Sequence, residues 1–137
     1  MSTPDILITQ PDFERLQKLL EEHSVDGNPA VVEFLDAELT RARVVPSTEV
    51  PANVVTMNSR LRYLNQATGS SRTVTLVYPE EADFQAGRLS VLAPVGCALL
   101  GLSVGQSMRW PITSGRTRSF SVEELLYQPE AAGDFHL

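Results

Sequence analysis

The sequence predicts an α+β fold in which a short antiparallel helical hairpin precedes an antiparallel β-sheet domain with one short helix. Apolar residues recur at steps of three and four within the first 45 residues. From residue 52 onwards, short runs alternate apolar with polar residues and are separated by glycine and proline turns. With 137 residues, 42% of them hydrophobic and 20% charged, the chain has the composition of one ordinary folded domain or two small ones.

The first helix is predicted to run from Thr9 to about His23. Thr9 and Asp12, three residues apart, resemble a capping box, and Pro11 is tolerated in a first helical turn. The helix has one apolar stripe, formed by Phe13, Leu16 and Leu20.

The second helix is predicted to begin after the loop 24–27, where Asn28 and Pro29 provide an N-cap and a first helical residue. Its apolar positions are Val32, Leu35, Leu39 and Ala42. Two such helices joined by a short loop form an antiparallel hairpin about 20 Å long. The predicted tip of this hairpin carries three acidic residues, Glu21, Glu22 and Asp26.

A linker is predicted between Val44 and Pro51, because two prolines and several β-branched residues there end the second helix. We therefore divide the chain into a helical hairpin at 1–45, a linker at 46–51 and a sheet domain at 52–137.

Two β-hairpins are predicted in the sheet domain. The first joins residues 54–64 to 72–78, and the second joins 107–111 to 118–127 through a turn at Ser114 and Gly115. The remaining residues, from Pro129 on, are expected to form a loose surface tail, with Tyr127 and Phe135 as the residues able to hold part of it.

The negative charge of the chain is concentrated in its first third. Residues 1–50 hold four Lys or Arg against ten Asp or Glu, whereas residues 51–137 hold seven of each. Phosphate contacts need clustered cations, so the N-terminal part is not expected to bind nucleic acid. Its charge favours a protein partner instead. Several arginines on the predicted strands form either a weak basic face or an ordinary solvated sheet surface: Arg60, Arg62, Arg72, Arg109, Arg116 and Arg118.

Several function classes find no support in the sequence. The longest apolar window, Leu89 to Val104, is short for a membrane span and is interrupted by proline and glycine, and the N-terminus lacks the charge of a secretory signal. We therefore expect a cytoplasmic protein. Cys97 is a single cysteine and is expected to be buried, and His23 and His136 have no neighbours that suggest a ligand set or a catalytic triad. No catalytic residue, metal or cofactor is predicted.

The most informative segment is Leu89 to Gln106, which reads LSVLAPVGCALLGLSVGQ. It predicts a short strand at Leu89 to Val91, a helix of about two turns at Val95 to Leu100 that Pro94 begins and Gly101 ends, and a turn at Gly105. In its order of elements this segment resembles the signature turn of the C-terminal domain of bacterial Gre-type transcript cleavage factors.

The acidic hairpin and the following sheet domain extend the resemblance to the Gre family over nearly the whole chain. A branch of that family with a shortened hairpin resembles this chain in three further runs: MNSR at Met57, TLVYP at Thr75 and ELLYQPEAAGD near the C-terminus. The resemblance to this branch implies regulation of nucleoside diphosphate kinase. The resemblance implies an FKBP-like sheet domain and a protein that is not itself an enzyme.

The resemblance also implies a docking site on bacterial RNA polymerase, at the rim of its secondary channel. The positions that correspond are Ser90, Ala93 and Pro94, and we add the adjacent Val95 and Gly101 as candidate contact residues. Ala93 replaces a serine of the Gre proteins, and Leu102 stands where many of them have lysine. No direct sequence-specific binding of nucleic acid is expected.

Within the family, two activities are alternatives to simple docking. A Gre hairpin carries carboxylates to the polymerase to hold a second Mg²⁺ and activate water for transcript cleavage, but here Glu21, Glu22 and Asp26 stand on a short hairpin and do not reproduce the spaced acidic motif. An FKBP-like fold could also serve prolyl isomerisation, although fold alone does not establish function. We therefore expect a transcription regulator that competes with Gre factors without stimulating cleavage.

Overall fold

The computed structural model describes residues 6–23, 29–66, 68–111 and 117–134. Several residues singled out from the sequence lie outside these ranges: Asp26, Asn28, Ser114, Gly115, Arg116, Phe135 and His136. In the part of the chain that is described, no helix is long and apolar enough to cross a membrane.

The two predicted helices are present with nearly the predicted bounds. Helix α1 spans Gln10–His23 and helix α2 spans Pro29–Arg41. The Thr9 hydroxyl accepts a hydrogen bond from the backbone N–H of Asp12 at 3.4 Å, so Thr9 caps α1 as predicted. With 14 and 13 residues, the helices are each about 20 Å long.

A two-stranded parallel sheet at the base of the hairpin was not predicted from the sequence. Strand β1 (Leu7–Thr9) leads into α1, and strand β2 (Arg43–Val45) follows α2, with Ile8 opposite Val44. The prediction of a linker from Val44 is wrong for its first two residues, because Val44 and Val45 belong to β2. A short 3-10 turn, Ser47–Glu49, follows.

The C-terminal half forms a five-stranded sheet in the order β5-β4-β3-β7-β6. Its strands are β3 (Arg60–Asn65), β4 (Ser70–Val77), β5 (Arg88–Ser90), β6 (Ser107–Pro111) and β7 (Thr117–Tyr127). Both predicted hairpins are present, as the antiparallel pairs β3/β4 and β6/β7.

Two details of the predicted sheet are wrong. The sheet is only mostly antiparallel, because β5 runs parallel to β4 with Leu89 opposite Leu76. The first strand begins at Arg60 and not at Val54. The residues just before it form a turn, in which the N–H of Ser59 donates to the carbonyl of Thr56 at 3.1 Å.

The hairpin and the sheet share one hydrophobic core. Ile6, Leu16 and Leu35 from the N-terminal part belong to the same buried cluster as the sheet and α3 (Pro94–Leu99) residues Leu61, Leu76, Leu99 and Phe120. Leu16 and Leu35 have no exposed surface. The apolar stripes of both helices therefore serve the same core as the sheet.

The predicted loose tail is wrong for the residues that the structure describes. Pro129–Ala132 form helix α4, whose N-cap Gln128 accepts a hydrogen bond from the N–H of Ala131. Gln128 is buried, and its side-chain amide donates to the carbonyls of Pro51 (2.8 Å) and Val54 (2.7 Å). These bonds hold α4 against the start of the sheet region. Tyr127 also holds the segment, as expected, because its hydroxyl donates to Asp134.

The arginines of the sheet lie on a solvated surface. Arg62 forms ion pairs with Glu123 (3.3 Å) and Glu124 (3.1 Å), which neutralise its charge. Arg72 lies over the ring of Phe84, 3.7 Å from its centroid. Arg60 and Arg109 are exposed on the same sheet face.

Candidate functional site

The segment that carries the family resemblance forms a strand, a tight turn and helix α3. β5 is anchored beside β4, since Leu89 is buried opposite Leu76 and the N–H of Val91 donates to the carbonyl of Val77 at 2.9 Å. The turn and the start of α3 are therefore attached to the sheet.

Ser90 organises the turn through two hydrogen bonds. Its hydroxyl accepts from the N–H of Leu92 at 3.0 Å, and its carbonyl accepts from the N–H of Ala93 at 3.0 Å. Ala93 has extended backbone angles (φ −75°, ψ 147°) and occupies the N-cap of α3 without supplying a side-chain acceptor. Pro94 begins the helix, as predicted.

Gly96 allows α3 to lie directly on this turn. A Cβ atom at Gly96 would be 2.1 Å from the carbonyl oxygen of Ser90 and 3.2 Å from the Cα of Val91. Real Cβ atoms do not approach a carbonyl oxygen so closely, so any other residue would push α3 away from the turn. Nothing in the sequence alone singled out Gly96.

The opposite side of α3 faces the core. Cys97, Ala98 and Leu99 are buried, and burial raises the pKa of the Cys97 thiol to about 12. The thiol is therefore neutral and packs as a small apolar group, in agreement with the prediction that Cys97 is buried.

One patch of this segment remains partly open to solvent. Because it is a candidate site for docking on a partner, we call it the docking surface: Ser90, Leu92, Ala93 and Val95. These four residues are half-buried and surround the turn. Three of them were selected from the sequence. Leu92 was not, because its side chain could as well have entered the core.

Gly101 does not join the docking surface. It is buried, and a Cβ atom there would be 2.7 Å from the Cβ of Ile6. Its N–H donates to the carbonyl of Val55 (2.9 Å), and its carbonyl accepts from the N–H of Leu7 (3.2 Å). With φ of 81°, Gly101 ends the loop after α3 and brings β1 against the sheet region. The adjacent Leu102 is also fully buried.

The acidic residues of the hairpin tip are exposed, where the structure describes them. Glu21 and Glu22 occupy the last turn of α1. Glu22 lines a groove of about 360 Å³ between α1 and the loop after β4. The other lining residues are Arg15, Lys18, Leu19, Tyr78, Glu80 and Glu81. Among the described residues, no group of three or more His, Cys, Asp or Glu side chains is arranged to hold a metal ion.

A buried carboxylate joins α1 to the sheet region. Asp12 is only 3% exposed, and its oxygens accept from the N–H of Met57 (3.2 Å) and the hydroxyl of Tyr78 (3.4 Å). Burial raises the pKa of Asp12 to about 6. Nearby, the hydroxyl of Thr56 donates to Glu130 of α4 at 2.6 Å.

Two aromatic residues that an FKBP-type proline pocket could use lie in the core. The rings of Tyr63 and Phe120 pack edge to face at 6.0 Å, and the residues are 8% and 2% exposed. They contribute to the stability of the sheet and offer no open face to a peptide.

Comparison with known proteins agrees with this architecture. Residues 50–127 match the protein family described as "Transcription elongation factor, GreA/GreB, C-term", and residues 4–45 match the family described as "Rnk N-terminus". The "Regulator of nucleoside diphosphate kinase" of Escherichia coli K12 is 47% identical over 137 residues, which is all of both chains. A transcription elongation factor GreA from Christiangramia forsetii is 32% identical over 91 residues, covering 66% of this chain and 57% of its own.

A solved structure shows the same fold. The "Prokaryotic transcription elongation factor GreA/GreB from Nitrosomonas europaea" superimposes with a TM-score of 0.70 at 40% identity, covering 90% of this chain and 99% of the other. The same family is therefore indicated by both halves of the chain, by the fold and by the full-length relative. The chain belongs to the GreA/GreB family of transcription factors, and within it to the branch of the regulators of nucleoside diphosphate kinase, which combine an Rnk N-terminus with a GreA/GreB C-terminal region.

Proposed function

We propose that this protein is a transcription regulator that binds bacterial RNA polymerase at the rim of the secondary channel, in the cytoplasm, and competes there with Gre factors. It would thereby affect expression of nucleoside diphosphate kinase. The observation that supports this most directly is the docking surface, which the same strand, turn and helix that resemble the Gre signature present to solvent.

The docking surface has the properties of a small protein contact. Leu92, Ala93 and Val95 supply apolar area around the polar Ser90, and the hydrogen bonds of the turn fix their positions before binding. A surface that is ordered in advance loses less conformational entropy when a partner binds.

The hairpin supports docking without transcript cleavage. Both helices are about 20 Å long, and Glu22 lies in the groove beside Arg15 and Lys18. Carboxylates that activate water through a metal must reach the metal at bonding distance. We therefore propose that the protein occupies the channel entrance without delivering a catalytic metal ligand.

Cleavage and prolyl isomerisation remain the alternatives. The first would require the tip carboxylates to act in the polymerase. The second follows from the FKBP-like classification, which remains a prediction, and it gains nothing from the buried Tyr63 and Phe120.

The test of docking is the substitution Ala93→Asp. Because Ala93 is the N-cap of α3 and supplies no acceptor, an Asp there should cap the helix and stabilise the fold by about 1 kcal/mol. The same carboxylate places a charge in a partly apolar contact. We expect binding to purified RNA polymerase to weaken at least tenfold, or about 1.4 kcal/mol, while the melting temperature is unchanged or higher.

The matched control is Ala93→Ser, which supplies a capping oxygen without a charge and should bind at least as well as the parent chain. Binding would be measured by titrating labelled protein with the polymerase core enzyme. Full affinity of a folded Ala93→Asp variant would show that the contact lies elsewhere on the molecule.

A further inference from the structure

A second cleft shares no residue with the docking surface. It lies where β1 and β2 meet the turn at Ser103–Gln106 and has a volume of about 330 Å³. Its walls are formed by Ile6, Leu7, Arg41, Arg43, Ser103 and Gln106. The backbone fixes these segments side by side, since Leu7 pairs with Arg43 on one side and donates its N–H to Gly101 on the other.

Several of the side chains that line this cleft carry hydrogen-bond donors without an acceptor. Among the described residues, the Arg43 guanidinium and the Ser103 hydroxyl have no hydrogen-bonding or ion-pair partner. The side-chain oxygen of Gln106 accepts from the N–H of Ser103 at 2.9 Å, which orients the amide and leaves its NH₂ group available. The turn is closed by a second bond, from the N–H of Gln106 to the carbonyl of Ser103 at 3.0 Å.

Arg41 is held in place beside these donors. Its guanidinium forms a two-point ion pair with Glu38, at 3.0 and 2.5 Å. This pair uses one edge of the planar group and fixes its orientation, while a guanidinium carries further N–H donors. Glu38 neutralises the charge of Arg41, so the cleft keeps one positive charge, that of Arg43.

The charge balance distinguishes this cleft from the groove beside α1. That groove is lined by Arg15 and Lys18 against three carboxylates, Glu22, Glu80 and Glu81. The cleft at Arg43 has two cations and no carboxylate among its lining residues. In a chain with a net charge of −6, such a local surplus of donors and positive charge favours an anion.

We propose that this cleft is a binding site for a small phosphorylated molecule, whose phosphate group contacts Arg43, Ser103 and Gln106. Donors on three side chains suit a tetrahedral oxyanion, and guanidinium groups bind phosphate oxygens with two parallel hydrogen bonds. The volume exceeds that of one phosphate group and lies at the lower end of small-molecule sites, so a diphosphate fits better than orthophosphate. The site is independent of the proposed contact with polymerase.

The experiment is a titration of the full ¹⁵N-labelled chain with sodium pyrophosphate at low ionic strength, followed by NMR. The amide signals of Leu7, Arg43, Ser103 and Gln106 should shift to saturation. Arg43→Ala should weaken binding at least tenfold. The matched control is Arg60→Ala, which removes another exposed arginine that has no ion-pair partner among the described residues and should leave binding unchanged.

Titrations with orthophosphate and citrate separate phosphate recognition from general anion binding. Pyrophosphate binding tighter than that of either anion supports the proposal. Shifts that never saturate, equal loss of binding in the Arg43 and Arg60 variants, or tighter binding of citrate than of pyrophosphate would each overturn it.

Discussion

At the scale of single residues, Gly96 determines how closely α3 packs on the turn at Ser90–Ala93. A helix interior favours alanine over glycine by about 1 kcal/mol, so propensity alone predicts that Gly96→Ala stabilises the protein. The Cβ atom would however lie 2.1 Å from the Ser90 carbonyl oxygen, and that backbone atom has no rotamer to change. We expect steric crowding to outweigh helix propensity, so that the substitution lowers the free energy of unfolding by roughly 1–3 kcal/mol.

Denaturant unfolding of Gly96→Ala checks this prediction, with Gly69→Ala as the control. Gly69, unlike Gly96, has a positive φ (73°), and a Cβ there meets nothing within 4 Å. Its substitution should cost only the strain of the left-handed conformation, about 1 kcal/mol. A Gly96 variant more stable than the parent chain would mean that α3 can shift away from the turn freely.

Asp12 is the residue whose ionisation should affect stability. Its carboxylate is buried against Met57 and Tyr78, with Glu130 raising its pKa further and Arg15 opposing that increase. The folded-state pKa is about 6, above the ordinary value of 3.8 for an accessible aspartate. Since the folded state binds this proton more tightly, the contribution of Asp12 is fully present below about pH 4 and is lost as the pH rises through about 6.

A pKa raised from 3.8 to about 6 corresponds to about 3 kcal/mol of stability between these pH limits. Asp12→Asn mimics the protonated acid, so it should raise the free energy of unfolding at pH 7.5 and have little effect at pH 4. The difference between variant and parent, measured by denaturant titration from pH 4 to pH 8, isolates Asp12 from other titrating groups. A constant difference across this range would contradict the prediction.

At the scale of elements, sequence patterns predicted the helices and hairpins that are stabilised by residues close together in the chain. Both helices and both β-hairpins follow from spacing, capping and turn residues that lie close together in sequence. The parallel pair β1/β2 escaped prediction because each strand has three residues, too few to show alternation, and their pairing bridges the whole helical hairpin. The parallel direction of β5 likewise depends on the path of the loop before it.

Helix α4 was missed for a different reason. Its four residues are too short for an apolar period, and what holds them is the buried Gln128, whose partners Pro51 and Val54 lie more than 70 residues earlier. A glutamine followed by proline resembles a solvated tail in the sequence. Only the tertiary structure shows that its amide satisfies two backbone carbonyls.

The helical hairpin as an element leads to the prediction that transcript cleavage is not stimulated. Mixed with stalled elongation complexes and Mg²⁺, the protein should release no additional short 3′ RNA fragments, because we expect a hairpin about 20 Å long to leave its carboxylates short of the polymerase metal centre. The double variant Glu21→Ala, Glu22→Ala should behave identically. Stimulated cleavage that disappears in the double variant would show that the length argument is wrong.

At the scale of the whole molecule, the strand, turn and helix around Ser90 were predicted, and the contacts that support them were not. The sequence pattern located these elements and pointed to Ser90, Ala93 and Val95, which are half-buried in the structure. It did not show that Gly101 is buried against Ile6, because that contact joins residues about 95 positions apart in a shared core. The hairpin and the docking surface are therefore connected through packing, although the surface itself is built from neighbouring residues.

Competition with Gre factors is the prediction that concerns the whole molecule. If both proteins present the same strand, turn and helix to one site, binding of one excludes the other. The apparent Kd of the Gre factor should then rise by one plus the ratio of this protein's concentration to its own Kd, or roughly elevenfold at a tenfold excess, about 1.4 kcal/mol.

Polymerase binding by a labelled Gre factor, measured at several fixed concentrations of this protein, tests that relation. The inhibition should be overcome completely by excess Gre factor, because in this proposal the two proteins share one site. The variant Ala93→Asp, which keeps the fold while placing a charge on the docking surface, should lose the inhibition in proportion to its loss of affinity. A complex in which one polymerase carries both proteins would exclude competition, and would place this protein at a different surface of the enzyme.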